Sequence, residues 1–230
     1  MNRIVKLLII LFTPLFSLGQ SNHLGFEMGL GQSRGDIQGT GRMFDVFVSH
    51  TFYNGVTFEI QSGIGYFEAK GQVNYLDYIH STHYLEIKPN LGFTFHLNSI
   101  NLDITPKLGF GMISFDARGE FTHPMQGQEL LQTFGDAYFT AKFSPLGNRY
   151  CTSHNETALV FSQALSLSQL ISPRIRVQAT LMYSFLSSDG FDGYVLPVWA
   201  NQHNDQFWSV KLGLKGRLGP IIIDKPSKDS

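Results

Sequence analysis

The sequence predicts an all-β fold, a single eight-stranded antiparallel up-and-down transmembrane β-barrel. Three observations predict it. Apolar and polar residues alternate with period two along eight segments of near ten residues, the length at which a tilted strand crosses a bilayer. The connections between the segments alternate between short turns and long loops, which a soluble sandwich has no reason to do. Aromatic residues gather near both ends of the segments, where a membrane protein meets its two interfaces.

Before the first segment the chain reads MNRIVKLLIILFTPLFSLGQ. Arg3 and Lys6 form a positive start, Leu7 to Phe16 an apolar core, and Ser17 and Gly19 occupy the −3 and −1 positions of a cut before Gln20. This is the pattern of a secretory signal peptide, and Pro14 argues against a buried helix there. The expected organisation is residues 1–19 as signal, 20–219 as outer-membrane barrel and 220–230 as a periplasmic tail. Seventeen Lys and Arg against eighteen Asp and Glu give no electrostatic support for a nucleic-acid partner. The single cysteine, Cys151, excludes an internal disulfide, and no cysteine follows the cut to carry a lipid.

The strands follow in order. Leu24 to Gly31 carries Glu27 on its polar face, and Met43 to Phe52 carries Asp45. In Val56 to Phe67, Val56, Phe58, Ile60, Ile64 and Tyr66 oppose Thr57, Glu59, Gln61, Gly63 and Gly65. In His83 to Phe95, Leu85, Ile87, Leu91 and Phe93 oppose Tyr84, Glu86, Lys88, Asn90, Gly92 and Thr94. In Asn101 to Met112, Leu102, Ile104, Leu108 and Phe110 oppose Asp103, Thr105, Lys107, Gly109 and Gly111. Leu159 to Leu170 is a weaker strand. In Arg174 to Phe185, Ile175, Val177, Leu181 and Phe185 oppose Arg176, Gln178, Thr180 and Ser184. In Trp208 to Leu218, Val210, Leu212 and Leu214 oppose Ser209, Lys211, Gly213, Lys215 and Arg217.

Short connections are expected at Tyr53–Gly55, Leu97–Ser99 and Ile171–Pro173, and long ones at residues 32–42, 70–82, 115–157 and 187–204. At the first short connection a two-residue Asn-Gly turn would throw the preceding strand out of phase. A three-residue loop with Gly55 left-handed keeps Asp45 on the polar face with Glu59.

This architecture explains why LEIKPNLGF, residues 85–93, puts opposite charges inside an apolar run. The apolar face meets lipid and the other face meets a lumen that eight strands make only wide enough for side chains. Eleven charged residues share that inner face: Glu27, Asp45, Glu59, Glu86, Lys88, Asp103, Lys107, Arg176, Lys211, Lys215 and Arg217. An unpaired charge there is costly, so the five acids and six bases are expected to pair. Gly63, Gly65, Gly92, Gly109, Gly111 and Gly213 make room for them. Tyr66, Tyr84, Tyr183, Phe185 and Trp208 are expected to form one aromatic girdle, and Phe52, Tyr53, Phe93 and Phe95 the other. Leu91 is placed near mid-membrane. Pro89 and Pro106 each remove a ladder donor on adjacent strands, so a bulge or a gap is expected between them.

HYLEIKPNLGFTF (83–95), LDITPKLGFGM (102–112) and NDQFWSVKLGLKGRLG (204–219) resemble the strands of the porin-family outer-membrane barrels of Bacteroidota and the barrel half of OmpA-like proteins. The resemblance implies an eight-stranded barrel inserted by the barrel-assembly machinery, in contact with outer-membrane lipid and lipopolysaccharide. It does not extend to the peptidoglycan-binding domain of OmpA-like proteins. The closing strand also lacks the terminal aromatic of the usual insertion signal, ending on Leu218-Gly219.

Residues that could carry chemistry are scattered. Ser49 and His50 are neighbours on a strand and face opposite sides, so they form no dyad. Ser153, His154, Asn155 and Glu156 offer hydrolase residue types within an expected loop, and His80 and His83 offer two metal-ligand nitrogens. Arg34-Gly35-Asp36 is an adhesion-like tripeptide, and residues 187–194 carry acids spaced loosely as in calcium loops. None makes a complete set, so no cofactor and no enzymatic role are expected. The expected function is a structural or surface-interaction barrel whose long loops meet an extracellular ligand. The alternatives are a narrow pore, if the lumen charges line water, and a lipid A-modifying enzyme.

Overall fold

The computed structural model describes residues 21–34, 38–73, 76–121, 144–146, 149–188, 191 and 205–219. Its strands are β1 (Ser21–Arg34), β2 (Gly39–Thr51), β3 (Val56–Val73), β4 (Leu76–Phe93), β5 (Phe95–Leu97), β6 (Leu102–Phe121), β7 (Ser144–Leu146), β8 (Arg149–Ser172), β9 (Ile175–Leu186) and β10 (Gln206–Leu218). The short β5 prolongs β4 along β6, and the short β7 pairs with the start of β8. The remaining eight close on themselves: each pairs antiparallel with the next, and β1 pairs with β10. The expected eight-stranded up-and-down barrel is the observed fold.

The faces follow the alternation. Outward positions on β1, β4, β6 and β10 expose Met28, Ile87, Leu91, Phe110, Met112 and Leu212, and inward neighbours are buried. A soluble chain would bury such residues; here they form the outside of the wall. The first short turn takes the expected form. Gly55 has φ +85°, Gly55 N–H donates to Phe52 C=O at 3.0 Å, and Phe52 N–H donates to Val56 C=O at 2.9 Å. Thr51 then pairs with Thr57 and Asp45 with Gly63, which puts Asp45 and Glu59 inside.

Both prolines interrupt one seam. The β4–β6 ladder pairs Ile87 with Met112 and resumes at Asn90 with Gly109, skipping Pro89. It stops at Gly92 with Lys107 and resumes in β5 at Phe95 with Ile104, skipping Pro106. On their other sides Pro89 pairs with Ile60 and Pro106 with Leu165 without a break. Each missing donor therefore falls on the seam between the two proline-bearing strands, which is interrupted twice, once at each proline.

The strands are longer than the alternation suggested. Pairing runs to Val73 with Leu76 and to Glu120 with Cys151, so most of 70–82 and both ends of 115–157 are sheet rather than loop. Beyond a membrane the outer face meets water, and the apolar–polar division that marks a lipid-facing strand fades while the ladder still pairs its backbone groups. The sequence Ser153–Glu156, expected in a loop, accordingly lies in β8 opposite Asp116–Arg118 and Phe115. The signal segment and the tail lie outside the described residues, as do Gly35 and Asp36.

The glycines on the inner face act as spacers. A methyl on Gly65 would meet the Tyr84 ring, and one on Gly63 would meet the Asp45 carboxylate. At Gly213 it would meet the Phe26 carbonyl and Glu27, a collision with backbone that no rotamer relieves. Gly213→Ala should therefore destabilise the barrel by about 1–3 kcal/mol. Urea unfolding of the chain in lipid vesicles measures this; an unchanged midpoint would show that β1 and β10 separate more easily than their register implies.

Candidate functional site: the filled lumen

Moving from the short-turn end towards the long-loop end, the lumen changes character. Nearest the turns lies an open polar cavity of about 600 Å³, bordered by the turn residues Tyr53 to Gly55 and Pro173 to Arg174. Above it Lys107 Nζ donates to Glu59 Oε1 at 2.8 Å, and Asn90 Nδ2 donates to Glu59 Oε1 and Gln61 Oε1, both at 3.1 Å. The same ammonium lies 5.9 Å from the centre of the Phe47 ring.

The next layer is the driest part of the charge network. Lys88 pairs with Glu86, and Lys211 with Asp45, each ammonium and carboxylate almost fully removed from solvent. The sulfur of Met182 sits between the two lysines, 3.2 Å from Lys88 Nζ and 3.7 Å from Lys211 Nζ. A soft polarizable atom there tolerates two cations where a methylene would offer nothing and a donor would repel. Glu27 takes hydrogen bonds from Gln178 Nε2 at 2.8 Å and from the Thr180 hydroxyl rather than from a base.

Of the eleven inward charges, the structure joins eight as ion pairs: Glu86–Lys88, Asp45–Lys211, Glu59–Lys107 and, at 2.9 Å, Asp103–Arg176. Asp103 also pairs with His96. Glu27 is held by neutral donors, and Lys215 has no carboxylate partner among the described residues. Arg217 sits half-buried at the rim. Both lysine–carboxylate pairs of the dry layer join residues on inner faces, one along β4 and one from β10 to β2 over the intervening β1.

The long-loop half of the lumen is apolar, and here the expectation of charge throughout is corrected. Met43, Phe67, Tyr84, Ile113, Phe115, Val160, Leu186 and Phe207 form one buried cluster. Tyr84, expected in an outer girdle, belongs to this core because its position shares the phase of Glu86. Phe191, which follows β9, drops into the middle of it. Its ring lies 5.4 Å from those of Phe67 and Phe115 and stacks on Phe207 at 5.7 Å. Its backbone is held as well: Phe191 N–H donates to Asp205 Oδ2 at 2.7 Å, and the Thr82 hydroxyl donates to Phe191 C=O at 2.6 Å. Phe67 and Phe207 lie in the inward phase of β3 and β10, but the sequence singles out neither, and nothing local marks Phe191.

The girdles otherwise form. At the long-loop end Tyr183 and Trp208 pack at 4.5 Å and Tyr66 contacts His83 at 4.7 Å. At the short-turn end Phe93 and Phe95 pack at 4.8 Å. Leu91 stands one outward step from Phe93, so Ile87, not Leu91, is nearer the middle of the band.

The other candidate residues are not brought together. Ser49 faces the lumen beside Glu59, and His50 faces the other way, bonded to Asn22 and edge-on to Phe52. His80 is buried inside while His83 is exposed outside, so they cannot share a metal. Among the described residues no group of three metal-ligating side chains converges. Glu156 accepts a hydrogen bond from the Ser188 hydroxyl at 2.7 Å.

No protein-family model matches the chain, and no curated protein matches it. Solved structures similar to it include Neisserial surface protein A, at 11% identity and TM-score 0.44, covering 86% of this chain and 97% of that one. The attachment invasion locus protein Ail of Yersinia pestis is similar at 12% identity and TM-score 0.44, covering 86% of this chain and 100% of that one. A major outer membrane protein of Thermus thermophilus gives 11% identity and TM-score 0.46, covering 85% and 99%. The assignment of this chain to an eight-stranded barrel rests on its own strand order, closure and register.

Proposed function

We propose that this chain is an outer-membrane β-barrel that serves as a sealed scaffold, holding the segments beyond its long strands at the cell surface for contact with an extracellular ligand. The observation that carries the reading is the plug: Phe191 and the cluster around it fill one half of the lumen, and paired charges fill the middle. The apolar band with aromatic rims fits acyl chains, so outer-membrane lipid and lipopolysaccharide are its immediate neighbours. The resemblance of three strands to the Bacteroidota porin-family barrels supports the same location and insertion by the barrel-assembly machinery. The reading assigns no catalysis: Ser49 faces the lumen and His50 the opposite side of the wall.

Planar-bilayer recording separates scaffold from pore. The purified chain should give no steady conductance, and Phe191→Ala together with Phe67→Ala should admit intermittent openings by emptying the plug. Steady open channels in the unmodified chain would overturn the scaffold reading. Protease treatment of intact cells should cleave within 122–143 and 192–204 and spare the short turns. Deleting the gene should leave the lipid A mass profile unchanged.

A further inference from the structure

We infer that the cavity at the short-turn end is a binding site for a small phosphate-class oxyanion. The lining of the cavity carries more cations than acids. Lys107, Arg174, Arg176, Lys215 and Arg217 border it, with Glu59 and Asp103 as the only acids among its lining residues. Those two carboxylates are committed to Lys107 and Arg176. Lys215 is only 9% exposed, lines the cavity, and makes no ion pair or hydrogen bond among the described residues. His23, also 9% exposed and lining it, has a buried Nδ1 with no hydrogen-bond partner among the described residues.

Register makes the excess sharper. Lys215 pairs directly across from Arg176. Like charges directly opposite on antiparallel strands are destabilising, and a poorly solvated wall screens them weakly. A sheet assembled for stability alone would place an acid at one of those positions. Instead the barrel keeps the cations facing a water-accessible space, where an anion would relieve the repulsion between them.

The neutral lining suits the same ligand. Hydroxyls run across the cavity from Thr51 to Thr57 at 3.1 Å, on to Thr94 at 2.7 Å and to Thr105 at 3.0 Å, a chain whose protons can turn towards an acceptor. Arg176, an ammonium and several hydroxyls recognise compact oxyanions with several acceptor oxygens better than a single carboxylate. The space admits a pyrophosphate-sized solute, and its ceiling of Glu59, Lys107 and Gln178 stops anything from passing further. The proposal stands apart from the scaffold reading, which depends on the opposite end of the lumen.

The test uses the full chain refolded in zwitterionic detergent, with pyrophosphate titrated calorimetrically and sodium chloride added at matched ionic strength as control. Saturable pyrophosphate binding is expected, about tenfold or more weaker in Lys215→Met and unchanged in Arg118→Met, whose guanidinium pairs with Asp116 far from the cavity. Lys215→Gln serves if the methionine variant does not fold, with heat-modifiable gel migration reporting folding in each case. Pyrophosphate should also raise the thermal unfolding temperature of the unmodified chain and leave that of Lys215→Met unmoved. Short-chain phosphatidic acid distinguishes the source: competition with pyrophosphate assigns the phosphate to a lipid headgroup, and its absence assigns it to a free solute. A flat titration, equal binding by Lys215→Met and the unmodified chain, or the same stabilisation by chloride overturns the inference.

Discussion

Lys88→Met should destabilise the barrel by about 3–5 kcal/mol, the range for removing one partner of a buried ion pair. Lys88 is fully buried and Glu86 nearly so, and Lys88 is the counter-ion of Glu86 in the structure. Without it the carboxylate keeps its desolvation cost and loses its compensation, while the nearby Asp45 adds a second negative charge that Lys211 alone must hold. The control lies in the pair. Glu86→Met with Lys88→Met fills similar volume and leaves no charge behind, so the double variant should recover most of the loss. Denaturant unfolding in vesicles measures all four corners of the cycle. A single-variant loss below about 1 kcal/mol, the range of a screened surface pair, would mean that water reaches this layer.

Ile87→Arg should cost about 2–4 kcal/mol in a bilayer, and Leu91→Arg clearly less. Ile87 is 55% exposed and Leu91 60%, so the packing each loses is similar; what differs is depth. Ile87 lies between the Tyr66–His83 contact and the Phe93–Phe95 contact that mark the two rims, and Leu91 adjoins the lower one. An arginine near a rim reaches headgroups along its own stem, and one at mid-depth does not. Equal costs at the two positions would contradict the placement of the apolar band, and no cost at either would contradict a lipid-facing exterior.

Both variants probe features of different legibility. The inward phase of Glu86, Lys88, Asp45 and Lys211 was readable because a strand alternates strictly, so one polar residue in a run fixes the face of every other. The Gly55 turn was readable for the same reason, since only one loop length kept Asp45 and Glu59 on one side. The seam holding Pro89 and Pro106 could be expected from chemistry, because a residue without an N–H must face an interruption. Strand ends were less readable. Val73, Phe121 and Arg149 lie well past the Tyr66–His83 contact, where alternation between an apolar and a polar face loses its physical cause. With 24 residues, β8 far exceeds the length a bilayer requires.

Local periodicity and connection length were enough to specify the eight strands of the wall, their order and the inward face of most of them. Who meets whom inside became visible only in three dimensions. Lys211 finds Asp45, Glu27 finds Gln178 and Thr180, and Phe191 finds Phe67, through contacts between residues distant in the chain. Closure sets those partners: the stagger of strands around a cylinder fixes which inward positions share a height, and no single strand contains that number. The division of the lumen into a plug, a dry ionic layer and a cation-rich vestibule arises at the same step.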